Sequence, residues 1–225
     1  IYKSGTDLLH MINDILDLSK IESGKMTLNI EPVSIKEISN TIFHYFKHVT
    51  EQKGLEFKID IDDSIPLKVE TDQQKVEQIL KNFMSNAIKF TSQGSVDLRF
   101  GATDAATVLR TPGLTAKNTI AISVKDSGIG IPEDKQMEIF EAFKQADGSI
   151  SRKFGGTGLG LSISRELAKL LGGEIQLQST HGVGSTFTFY IPCDAPKADS
   201  NQGKEKQPVV QNDTLPAPKE MGVTK

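Results

Sequence analysis

Along the chain the spacing of apolar residues switches between a period near 3.6 and a period of two, and each switch marks an element. Residues 1–25, IYKSGTDLLHMINDILDLSKIESGK, place Leu9, Ile12, Leu16 and Ser19 at a/d-like intervals, with Leu8, Ile15 and Leu18 widening the stripe. This predicts one long amphipathic helix closed near Gly24; with no partner in its own neighbourhood, it pairs with another helix. MTLNIEPVS predicts a short strand ending at Pro32. Ser34 then caps a helix over IKEISNTIFHYFKHVTEQKG, with Glu37 as the capping-box partner. LEFKIDI alternates and predicts a strand. From Asp72 a strongly patterned helix begins, with Val76, Ile79, Leu80, Phe83, Met84, Ala87 and Ile88 on its apolar face.

SVDLRF and TIAISVKD predict strands, and the residues between them, GATDAATVLRTPGLTAKN, predict a long, mobile hairpin insertion. A helix is expected from about Glu133 to Ile139 and another from about Leu159 to Leu171. EIQLQST and STFTFYIP follow as strands around the bend HGVG. From Asp194 the composition turns to Pro, Lys, Gln, Asn and Asp, as in a disordered tail or linker. The expected units are therefore residues 1–25, 26–193 and 194–225. Strands and helices mixed in this order predict a two-layer α/β sandwich, a mixed sheet covered by helices on one face and preceded by one long helix.

Composition narrows the function classes. The 225 residues are 37% hydrophobic and 24% charged, ordinary for a soluble domain, and they suffice for one core with a tail to spare. A net charge of −3 argues against a nucleic-acid partner. The lack of Trp and the presence of only three Tyr argue against base-stacking platforms. No apolar run reaches membrane-spanning length, no signal-peptide pattern opens the chain, and the start at Ile1 reads as a piece of something longer. A single cysteine, Cys193, precludes an intrachain disulfide and suits a reducing, cytoplasmic compartment.

The candidate chemistry begins with RKFGGTGLGLSISRELAKLLGG, residues 152–173, where Gly155, Gly156, Gly158 and Gly160 precede a helical pattern. It is not a P-loop, because Leu161 follows Gly160 where a P-loop has Lys. It is not a dinucleotide fingerprint, because Ile163 stands where a third small residue is needed and Lys153 and Phe154 replace a strand. Taken alone it reads as a flexible loop sooner than as a phosphate cradle. Asn82, Asn86 and Lys89 are spaced to project together from one helix, where amide oxygens and an ammonium suit Mg²⁺ with phosphates, or simply a wet face. Asp126, at the end of an apolar strand and before Gly128 and Gly130, can accept a hydrogen bond from an exocyclic amine while the glycines admit a flat base; the bland alternative is a turn.

In their order, NFMSNAIKFT, DSGIGIP, IFEAFKQ, FGGTGLGLSIS and GVGSTFTFYIP resemble the N, G1, F, G2 and G3 boxes of sensor histidine kinases, a branch of the ATPase superfamily that includes gyrase, heat-shock chaperones and mismatch-repair clamps. LLHMINDILDLSKIESGKM is similar to the second helix of that family's dimerisation hairpin. The resemblance implies a Bergerat-type ATP-binding fold with ATP and Mg²⁺ as cofactors. By it, Asn86 is the principal Mg²⁺ ligand with Asn82 assisting, Lys89 touches phosphate, and these three serve phosphoryl transfer. Phe90 packs near adenine, and Asp126 reads the adenine amino group, helped through water by Ser185 or Thr186. Gly128, Gly130 and Ile131 line the base. Residues from about Pro132 to Thr157 form a lid. Thr157, Gly158, Leu159 and Gly160 offer backbone N–H groups to phosphate, with Arg152 or Lys153 adding charge.

What is missing from the motifs bears on mechanism. The family's acceptor histidine lies on the first dimerisation helix, followed by an acidic residue and a proline. None of His10, His44, His48 and His181 has that context, so this chain alone is not expected to autophosphorylate. The clamp ATPases place a Glu one turn before the metal-binding Asn as a general base, and here that position is Asn82, which predicts slow hydrolysis. The alternatives are a gyrase- or chaperone-type clamp ATPase and a non-catalytic docking module. The resemblance further implies homodimerisation through the hairpin helices, a response-regulator receiver domain as partner, and no nucleic-acid or membrane contact by these residues.

Overall fold

The computed structural model describes residues 2–142 and 158–194. Helix α1 (Tyr2–Glu22) opens the chain. Strand β1 (Glu31–Ser34) pairs antiparallel with β3 (Lys68–Thr71) in a separate two-stranded ribbon. Helix α2 (Ile35–Lys53) starts at Ser34, whose hydroxyl accepts the Glu37 N–H at 3.4 Å, and stops at Gly54, held at φ +68°. After β2 (Glu56–Ile61) comes α3 (Gln73–Phe90), capped by the Asp72 carboxylate, which accepts the Lys75 N–H at 3.1 Å. Strands β4 (Ser95–Ala102) and β5 (Thr119–Asp126), helix α4 (Gly160–Leu170) and strands β6 (Glu174–Thr180) and β7 (Gly184–Pro192) complete the described elements.

The main sheet runs β2-β4-β5-β7-β6; β2 and β4 are parallel and every other pairing is antiparallel. Its alternation sets Val96, Leu98 and Phe100, Ile120, Ile122 and Val124, and Phe187, Phe189 and Ile191 toward the helices. There α3 packs between α2 and α4 and closes the core. This is the expected two-layer α/β sandwich, with its second sheet face largely polar.

Three local expectations change. MTLNIEPVS is irregular through residue 30, and only Glu31–Ser34 forms a strand, since its partner β3 is four residues long. The helix expected at 133–139 is instead two 3₁₀ turns, Glu133–Lys135 and Glu138–Phe140. Neither turn has a side-chain cap, and Ile139 alone is buried there, so nothing repays an α-helical nucleus. The loop between β4 and β5, expected to be mobile, is tied across the open sheet face. Glu174 accepts the N–H groups of Arg110 and Thr111 at 2.7 and 2.6 Å, and Gln176 Nε2 donates to Val108 O at 2.9 Å.

Helix α1 uses only part of its apolar stripe. Leu18 and Ile21 pack on the core, and Asp17 accepts a hydrogen bond from Gln78 Nε2 at 2.9 Å. Leu8, Leu9, Ile12, Ile15 and Leu16 remain exposed, each 45% or more.

Candidate functional site

Asp126 ends β5 between Val96 and Ser185 in the sheet register, on the helix-facing side. It is 7% exposed. Burial pushes its carboxyl above the ordinary range, while hydrogen bonds from the Gly128 and Ser185 amides hold back part of that rise. The Gly128 N–H reaches Asp126 Oδ1 at 2.8 Å. A Cβ at Gly128 would stand 2.6 Å from Phe90 O, 2.8 Å from Asp126 Oδ1 and 2.9 Å from Thr91 Oγ1, so only glycine fits. The Thr91 hydroxyl is fully buried and has no hydrogen-bond partner among the described residues.

The following turn is stitched to the β6–β7 hairpin. Gly130 (φ +64°) lies against Thr180 O, which leaves no space for a side chain. Gly182 N–H donates to Ile129 O at 2.7 Å, and Ile131 N–H donates to Ser179 Oγ at 2.8 Å. Ser179 Oγ is also 3.0 Å from Ser185 Oγ. Ser185 is buried beside Asp126, whereas Thr186 pairs with Lys125 on the opposite sheet face. The geometry therefore separates two residues that the resemblance left as alternatives.

Helix α3 carries the second part of the site. Lys89 is half-buried, its Nζ 4.7 Å from the centroid of the Phe90 ring, and burial holds its ammonium below the ordinary range. One turn earlier, Asn86 Nδ2 donates to Asn82 Oδ1 at 3.4 Å, and Asn82 Nδ2 donates to Ser164 Oγ at 2.9 Å. Gly158 has φ +71°, Leu159 is wholly buried, and α4 begins at Gly160 with no side-chain cap on its first-turn amides. A side chain at Gly160 would collide with the Asn82 amide. Asp126, Gly128 and Phe90 thus meet at one end of the site, and Asn82, Asn86 and Gly160 at the other. Lys153 and Thr157, together with Arg152 and residues 143–157 of the expected lid, lie outside the described residues.

Phe140 anchors the described start of that segment. Its ring packs edge-on to Phe187 at 6.3 Å, Phe187 lies 5.3 Å from Phe83, and the Arg165 guanidinium stands 5.9 Å from Phe140. Sequence reasoning gave no role to Thr91, Ser179 or Ser164. Ser164 was findable: Gly160, Ser164 and Ala168 recur every four residues, a stripe of small side chains that lets α4 approach α3. His44, His48 and His181 are exposed, and His48 pairs with Gln52 at 2.9 Å. Among the described residues no group of three or more His, Cys, Asp or Glu could hold a metal, and no helix is long and apolar enough to cross a membrane.

Residues 71–195, more than half of the chain, match the sequence profile of the family described as "Histidine kinase-, DNA gyrase B-, and HSP90-like ATPase". The chain belongs to this ATPase family. As a member it is an ATP-binding domain, and its two-layer fold is that of the family's solved structures. Hybrid signal transduction histidine kinase B of Dictyostelium discoideum is 46% identical to this ATPase-family chain over 194 residues, 86% of the chain and 9% of that protein. Signal transduction histidine-protein kinase BarA of Escherichia coli K12 is 40% identical over 194 residues, 86% of the chain and 20% of that protein. The crystal structure of full-length ShkA in complex with AMPPNP superposes with a TM-score of 0.72 at 31% identity, covering 87% of this chain and 38% of that one. The chain spans about a tenth to a fifth of the length of these curated relatives.

Proposed function

We propose that this chain is the ATP-binding part of a two-component sensor histidine kinase. It presents the γ-phosphoryl of ATP to a histidine on a dimerisation helix outside these residues, for relay to the aspartate of a response-regulator receiver domain. Asp126 accepts a hydrogen bond from the adenine amino group, with Ser185 beside it, and the Gly128–Ile131 turn and Phe90 bound the base. The orphaned Thr91 hydroxyl supports a polar ligand at this end, since a buried hydroxyl without a partner costs about 1–3 kcal/mol. Lys89 and the first-turn amides of α4, through Gly158, Leu159 and Gly160, face the phosphates, with Lys153 and Thr157 adjoining them in sequence.

The residues fit Mg²⁺ carried in with the nucleotide. No carboxylate cage is present among the described residues, and Asn86, whose Nδ2 is turned to Asn82, has its oxygen left as a hard ligand. Bound there with Asn82 close by, Mg²⁺ would neutralise phosphate charge during transfer. The chain's own residues orient the γ-phosphoryl and hold Lys89 near it, and that positioning is most of what this chemistry requires.

The observation that carries the kinase reading over the clamp-ATPase reading is Asn82. A hydrolase needs a base there, and an amide already hydrogen-bonded to Ser164 takes no proton. The exposed stripe of α1 supports a homodimer in the parent protein, completed by the first hairpin helix. The single cysteine supports a cytoplasmic setting. The deciding experiment is calorimetric titration of ATP with and without Mg²⁺, beside a phosphate-release assay. Expected are Mg²⁺-enhanced binding, its loss in Asp126→Asn, and negligible release. Steady hydrolysis would favour the clamp, and no binding by folded protein would favour a docking module.

A further inference from the structure

The two asparagines of α3 do not stand side by side as equivalent ligands. Their amides form a directed line: Asn86 Nδ2 donates to Asn82 Oδ1 at 3.4 Å, and Asn82 Nδ2 donates to Ser164 Oγ at 2.9 Å. An amide can face either way, and which end it presents is decided by its partners. Ser164 is 2% exposed and its hydroxyl accepts from Asn82 Nδ2, an arrangement in which the nitrogen end of Asn82 faces α4 and its oxygen faces Asn86. That oxygen then claims the nitrogen end of Asn86, and the Asn86 oxygen is turned outward. Gly160 lies against the middle of the line, where a side chain would collide with the Asn82 amide.

We infer that Ser164 is a positioning residue: through Asn82 it fixes the orientation in which Asn86 presents its oxygen to a nucleotide-borne divalent cation. Asn82 serves as the intermediate of this line, so its main duty is orientation, with ligation secondary. This rests on the reading of Asn86 as the metal ligand. Partners that orient a metal ligand commonly change metal affinity about 10- to 100-fold. For one neutral hydrogen bond acting at one remove, about three- to tenfold is expected.

The test uses the whole chain and has one readout without metal or nucleotide. In ¹H–¹⁵N spectra of the ligand-free protein, the side-chain NH₂ signals of Asn82 and Asn86 are assigned by their disappearance in Asn82→Ala and Asn86→Ala. Ser164→Ala should move both pairs, the second without having touched Ser164. In titrations, Ser164→Ala should reduce the Mg²⁺-dependent gain in ATP affinity about three- to tenfold while affinity in EDTA stays within about twofold. Added to Asn82→Ala, it should have no further effect on that gain. Should Ser164→Ala fail to fold, Ser164→Cys, which keeps a weak acceptor, should show the same changes at smaller size. Movement of the Asn82 signals alone with an intact Mg²⁺ gain overturns the relay and leaves the metal reading standing. A wild type whose ATP affinity ignores Mg²⁺ overturns the metal reading and this inference with it.

Discussion

Burial and hydrogen bonding pull the Asp126 carboxyl in opposite directions, and burial wins. Because its folded pKa lies above the unfolded value, ionising it costs the fold stability. That cost is complete above the folded pKa and vanishes as pH falls below the unfolded one. Asp126→Asn keeps an oxygen for the Gly128 N–H and removes the charge. In urea melts at pH 7 the variant should therefore be at least as stable as wild type, the difference closing toward pH 3, although it no longer binds ATP. A variant that loses binding and stability together would assign Asp126 to the scaffold. ATP binding by wild type should weaken as pH falls through the raised Asp126 value, because a protonated carboxyl accepts less well from the adenine amine. Titrations at a series of pH values would show this. Lys89 shifts the other way: its burial is relieved by anionic phosphate, so nucleotide should raise its pKa, measurable by following its side-chain signal.

At the scale of elements, legibility followed periodicity. Helices α2, α3 and α4 were readable because a half-buried helix writes its core face into the sequence every three to four residues, and the Ser34 and Asp72 caps marked their starts. The hairpin β6–β7 was readable from its glycines. Strand β3 was not: four residues, KVET, are too few for any period, and only pairing with β1 makes them a strand. Asp126, Gly128 and Asn86 stood out as candidates through glycine placement and helical spacing, and only the resemblance gave them roles. The Asn82–Ser164 bond joins residues 82 apart, so only the packing of α3 on α4 reveals it. The strap between β4 and β5 was likewise invisible, since its anchor Glu174 lies 64 residues beyond Arg110. Burial raises the Glu174 pKa, but hydrogen bonds from Gln176, Thr111 and Arg110 outweigh it and leave the value lowered. A lowered carboxyl stabilises above the unfolded pKa and loses that contribution as pH falls through the folded one. Glu174→Ala should accordingly speed amide exchange at Arg110 and Thr111 at neutral pH, with exchange elsewhere in the sheet unchanged.

For the whole molecule, the stripe on α1 is the feature that a single copy leaves unsatisfied. Exposed leucines and isoleucines over three turns invite association, each buried side chain being worth about 1.5–3 kcal/mol. This chain should self-associate with rising concentration in sedimentation experiments. Leu9→Lys with Leu16→Lys should return it to monomer while leaving ATP affinity unchanged, because both side chains are exposed and neither is among the residues proposed to hold the nucleotide.

The strap lies across one sheet face, while Asp126 and Ser185 look out from the other. The sheet therefore stands between the strap and a nucleotide held at Asp126, and the strap's tip, around Thr111–Lys117, adjoins the end of β5 opposite Asp126. Foreign sequence spliced into that tip would lengthen a loop whose ends are already held, at an entropic cost that grows only slowly with length. A fluorescent protein or an affinity epitope could be carried there, reporting on this domain from its far side without standing in the path of its ligand.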